Sequence, residues 1–140
     1  MPKIVSEEER RLTKEAIYKR TVHLIKEKGI RSVSVDDITT AVGIGKGSFY
    51  AYYPSKEICL FEVIKQCERE SFSQMEEIMK LDYSDKAKAV CLLKTIFTAE
   101  DSLVTSINQT DVEVLLRKLP PEYREREQDK SENNFQNALK

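Results

Sequence analysis

Lys46, Ser48, Tyr50 and Tyr52 fall within the short run GKGSFYAYY, and each carries a group that can donate a hydrogen bond to a phosphate oxygen or a base edge. Phe49 and Tyr53 in the same run are four apart, the spacing of one helix face, so burying them leaves the four polar side chains for other directions. Gly45 and Gly47 flank Lys46. A helix interior normally avoids glycine at about 1 kcal/mol relative to alanine. Here the absence of side chains lets the backbone come close to a nucleic-acid strand, and a helix start with unpaired amides favours phosphate.

These residues need a frame, and the neighbouring residues supply it. Ser34 can cap a helix whose apolar positions Val35, Ile38 and Val42 recur at spacings of three and four. Gly43 follows the last of them, where a left-handed cap is wanted, and Ile44 can pack back on the helix pair. Pro54 disfavours helix at Tyr53, and Ser55 can cap a further helix from Lys56 onward. The expectation is a helix-turn-helix over about residues 34–53, with a second helix of about two turns.

The string G-x-x-x-x-S-V-x-D-I from Gly29, followed by V-G-I-G-K-G-S-F-Y-A-Y-Y-P-S-K-E, resembles the tetracycline repressor (TetR) family of bacterial transcription regulators. The resemblance runs from Arg11 to Ser71 and is motif-poor beyond it. It implies an all-α protein: a three-helix DNA-binding domain over residues 11–71, then over 72–140 the first part of a helical effector-binding and dimerisation domain, incomplete at its C-terminal end. By position it implies a phosphate contact at Ser34, recognition-helix contacts at Gly45, Lys46, Ser48, Tyr50 and Tyr52, and a phosphate-binding lysine at Lys56. Three departures bear on operator preference and packing: Tyr52 where the family often has histidine, Gly45 where serine is frequent, and Arg20-Thr21 where small alanines are usual. The partners implied are a palindromic double-stranded operator, a small-molecule effector and a second copy of the chain. No cofactor is implied, and no effector-binding residue is assigned.

Around this motif the chain reads as helix throughout. Ile17, Thr21, Leu24 and Ile25 form a stripe that should cover the two-helix reader, and that helix should end at Gly29. Its start is open between Ser6, with Glu9 three residues on, and Thr13. After Lys56 a long amphipathic run holds Ile58, Phe61, Val63, Ile64, Cys67, Phe72, Met75, Ile78 and Met79, reading as the link between reader and sensor. Ser84 and Asp85 can start a helix with Ala89, Leu92, Leu93, Ile96 and Phe97, and Thr110 with Glu113 can box-cap another that Pro120-Pro121 ends. The tail PEYREREQDKSENNFQNALK reads as a solvated helix or a fraying end. Met75, Met79, Tyr83, Cys91 and Phe97 read as core before cavity.

Composition bounds the remaining choices. Residues 1–57 carry a net charge of +3 and residues 58–140 one of −4, giving −1 overall, a sign that agrees with a basic N-terminal DNA face. There is no apolar run of spanning length and no signal-peptide pattern, so a cytoplasmic protein is expected. Cys59, Cys67 and Cys91 sit in apolar helical surroundings and read as buried reduced thiols. His23, the one histidine, lacks the partners a metal site needs. GIGKGS is not a phosphate-loop motif, because Gly47 separates Lys46 from Ser48, and an enzyme is not expected. A helix-turn-helix-shaped coregulator that binds another protein is the other reading, and intact Lys46, Tyr50 and Lys56 argue against it.

Overall fold

The computed structural model describes residues 4–98, 103 and 105–138, and among these every regular element is helical. Helix α1 (Glu7–Lys28) begins at Ser6 and not at Thr13: the Glu9 amide donates to Ser6 Oγ at 3.1 Å and the Ser6 amide donates to Glu9 Oε2 at 3.0 Å. Thr13 is inside the helix, its hydroxyl donating back to the Glu9 carbonyl at 2.8 Å. Glu7, Glu8 and Glu9 in the first turn and Lys26 and Lys28 in the last complement the helix dipole. The helix stops at Gly29, and one 3-10 turn, Ile30–Ser32, then carries the chain toward α2.

Helix α2 (Val35–Val42) repeats the reciprocal cap, with the Asp37 amide donating to Ser34 Oγ at 3.0 Å and the Ser34 amide to Asp37 Oδ2 at 2.9 Å. Gly43 closes it in the left-handed conformation, φ 80° and ψ 34°, and the amides of Gly43 and Ile44 both donate to the Thr39 carbonyl. Helix α3 (Lys46–Tyr52) follows, and then α4 (Lys56–Met79), whose start is capped by Ser55 Oγ accepting from the Ile58 amide at 3.2 Å.

The core lies where α1, α2, α3 and the first half of α4 meet. Ile17, Val22, Ile25, Val33, Ile38, Phe49, Cys59 and Val63 are essentially inaccessible there. Thr21 is fully buried among them, and Leu24 sits at the edge. Tyr18 joins α1 to α4 by donating its hydroxyl to Glu70 Oε2 at 3.0 Å; burial, then the neighbouring Cys67 and Glu70, pushes its phenol well above the ordinary range. Burial likewise pushes the Cys59 thiol up to about 12, which leaves it protonated and unreactive. Cys67 is also buried, whereas Cys91 is partly exposed, short of the burial expected for all three.

Beyond the core, α4 continues unbroken through residue 71, and its second half emerges from the packed region: Phe72 and Met79 are exposed. Helix α5 (Asp85–Thr98), started by Ser84 Oγ accepting from the Ala87 amide, buries none of its residues. Helix α6 (Gln109–Lys118) is capped by Asn108 and Asp111, with the Asp111 amide donating to Asn108 Oδ1 at 2.9 Å, and so starts before the expected Thr110–Glu113 box. Asparagine is as good a cap as threonine or better, and Glu113 is engaged instead by the Gln109 amide group at 3.2 Å. Leu119 ends α6, and Pro121 takes the first position of α7 (Pro121–Ala138), where a missing amide hydrogen is harmless. Through residue 138 the charged tail is therefore a helix. It docks on α4 through Tyr123, edge-on to Phe61 with centroids 5.6 Å apart, and through a Glu127–Lys65 ion pair.

Lys28 at the end of α1 reaches Asp37 Oδ2 at 2.9 Å, locking α1 to the start of α2. The hydrogen bond from Lys28, then those from Ser34, hold the Asp37 carboxyl down to about 2 from an ordinary 3.8. A carboxyl depressed in the folded state contributes stability that is complete above its unfolded value and lost as pH falls toward its folded one. Acid titration of unfolding should therefore show the wild-type chain losing stability between about pH 4 and 2 more steeply than Asp37→Asn, whereas parallel curves would mean that Asp37 carries no such linkage.

Candidate nucleic-acid interface

Phe49 sets the orientation of α3. It is the one residue of that helix that is fully buried, against Tyr50 at 5.4 Å and Tyr53 at 6.0 Å between ring centroids. With that position turned inward, Lys46, Gly47, Ser48, Tyr50 and Ala51 all face outward. Gly45 is exposed at the start of α3 and gives its first turn no side-chain cap.

The remaining sequence-derived candidates are distributed around this helix. Ser34 is half-buried with its hydroxyl accepting from the Asp37 amide, so its first role in the fold is the start of α2. Tyr52 is half-buried and packs against the core edge, because its position three residues after Phe49 falls beside the buried stripe and not opposite it. Lys56 is half-buried at the start of α4, in a small cleft of about 110 Å³ shared with Arg31, Leu60, Asp111 and Leu115. Lys46, Ser48 and Tyr50 thus form one outward set, with Tyr52 and Lys56 at its margins.

A groove of about 760 Å³ runs between α3 and the first turns of α1, lined by Arg10, Thr13, Lys14, Ile44, Ser48 and Tyr52. Arg10 and Lys14 thereby come beside α3 although they are more than 30 positions from it in sequence. Their spacing of four on a helix was the available signal, but it does not say which element that face meets. Lys14 also stands over the Tyr53 ring, 5.7 Å from its centroid. On the other side of α3, Lys46 Nζ is 2.9 Å from Asp36 Oδ1, and this carboxylate raises the lysine pKa above its ordinary value. That pair is invisible to sequence periodicity, because it crosses from α2 to α3.

Residues 17–63 match the family model for bacterial regulatory proteins of the tetR family. Over this segment the chain is similar to the TetR family. Among curated proteins it is similar to the HTH-type transcriptional repressor KstR2 of Rhodococcus jostii, 32% identical over 79 residues, which is 56% of this chain and 39% of that protein. The HTH-type transcriptional regulator EthR of Mycolicibacterium smegmatis is 29% identical over 75 residues, covering 54% and 35% of the two chains. An uncharacterised HTH-type transcriptional regulator in the lacX 3′ region of Lactococcus lactis reaches 47% identity over a shorter 51 residues, 36% of this chain and 26% of that one. The chain thus spans well under half the length of these relatives. The TetR match includes α2, α3 and the start of α4, the elements that carry Ser34, Lys46, Ser48, Tyr50 and Lys56. No described helix is long and apolar enough to cross a membrane.

Proposed function

We propose that this protein is a sequence-specific DNA-binding transcriptional regulator of the TetR family, a repressor that a small-molecule effector releases from its operator. The observation that carries the reading is the outward set Lys46, Ser48 and Tyr50 on a helix pinned by the fully buried Phe49. Such a helix can enter a major groove while the preceding helix crosses the backbone. Lys46, Tyr50, Tyr52 and Lys56 would supply mainly phosphate contacts, Ser34 another from the start of α2, and Ser48 with the exposed backbone edge at Gly45 would reach base edges.

Residues 11–71 act as the reader and residues 72–140 as part of an effector-binding and dimerisation region, with α4 as the rigid link between them. In a homodimer two copies of α3 would sit about 34 to 36 Å apart, in successive major grooves of a palindrome, and an effector would act by changing that separation. A protein working on chromosomal DNA in this way is cytoplasmic.

Replacing Lys46 or Lys56 by alanine should weaken binding to every duplex and lower the slope of log affinity against log salt by about one unit per lost phosphate contact. An unchanged slope in either variant removes that lysine from the interface. Unchanged slopes in both, together with salt-insensitive binding of the parent chain, would favour the protein-binding coregulator instead.

A further inference from the structure

Asp36 and Asp37 are adjacent in the first turn of α2 and do different things. Asp37 caps its helix and holds Lys28, so its carboxylate is committed to the fold. The Asp36 carboxylate instead reaches across the turn to Lys46, Oδ1 to Nζ 2.9 Å, with both side chains largely open to solvent at 70% and 60% exposure. An ion pair this exposed adds little to stability. Its larger consequence is for a third charge arriving from outside.

A DNA phosphate that engages Lys46 needs the same ammonium, at the same kind of distance, that Asp36 already occupies. The carboxylate also repels backbone phosphates that come within a screening length of about 8 to 10 Å. We infer that Asp36 is a built-in competitor for the DNA backbone: its carboxylate holds Lys46 in the free protein and competes with phosphate for that ammonium, which limits sequence-independent affinity and makes binding depend more on base contacts. The inference rests on the DNA-binding reading above. Sequence-independent binding is almost wholly electrostatic, so one competing charge is felt most directly there.

The test is a titration of wild-type, Asp36→Asn and Lys46→Ala chains, and of the Asp36→Asn/Lys46→Ala double variant, against a random-sequence duplex at several salt concentrations. Far-UV circular dichroism confirms that each variant keeps its helices, since an acidic residue in a first turn also favours the helix itself. Asp36→Ser serves as a second neutral variant. Asp36→Asn should bind the random duplex at least about threefold more tightly at low salt, with a salt slope steeper by up to about one unit, and most of that gain should vanish when Lys46 is alanine. Salt-dependent binding by the wild-type chain with Asp36→Asn unchanged or weakened would overturn the inference alone. Absence of any salt-dependent wild-type binding would overturn the DNA-binding reading and the inference with it.

Discussion

Phe49→Ala is expected to lower the stability of the N-terminal core by about 3 to 5 kcal/mol, the range for truncating a fully buried aromatic side chain. Phe49 has no solvent exposure, and it is the single buried anchor of a seven-residue helix. Nothing else of comparable size can collapse into its place from within α3, since the other residues of that helix are exposed or, like Tyr52, at the core edge. Small domains are stable by only about 5 to 15 kcal/mol, so the loss is a large share of the total. Urea unfolding followed by circular dichroism should show a markedly lower midpoint for this variant, while Tyr50→Ala on the exposed face should stay near wild type. A loss under about 1 kcal/mol for Phe49→Ala would mean that α3 is not held by this contact.

Gly29→Ala is expected to be nearly as telling, through backbone strain and without a clash. Gly29 has φ 82° and ψ 149°, next to a region that is essentially restricted to glycine, and residues forced there cost about 1 to 3 kcal/mol. A Cβ built at this position meets no atom within 4 Å, so crowding contributes nothing. Gly43 also has positive φ, but its ψ of 34° puts it in the left-handed helical region that asparagine visits readily. Asparagine should therefore be tolerated at position 43 with only a small loss and should be costly at position 29. Equal losses at the two positions, read from urea midpoints, would show that the turn after α1 relaxes to accept a side chain.

What could be read in the chain beforehand was its local chemistry. Ser34, Gly43 and Ser55 each stand at the helix boundary that their capping properties indicate, and Phe49 is buried as its spacing from Tyr53 suggests. The 3-10 turn at Ile30–Ser32 escaped notice because three residues are too few to carry a period. At the start of α6 two cap signals overlap, and the reciprocal bonds of Asn108 and Asp111 decide between them only once the backbone is known. Periodicity showed that α4 and α5 have apolar stripes but not what would cover them, and Phe72, Met79, Leu93 and Phe97 are exposed. The charged tail forms α7 because Tyr123 and Glu127 find Phe61 and Lys65 on α4, partners about 60 positions away that no local pattern announces. The candidate interface divides in the same way: its outward set on α3 was legible from spacing. Arg10, Lys14 and Asp36 join it only through tertiary contact.

The proposed role of α3 is to read DNA in a dimer. It is tested most directly by titrating the chain against fragments of its own genome at two salt concentrations, with the mass of the complex measured in parallel. Selective, salt-sensitive binding of two chains to a palindromic fragment is the expected result. Binding that is equally weak for all fragments and indifferent to salt would contradict it.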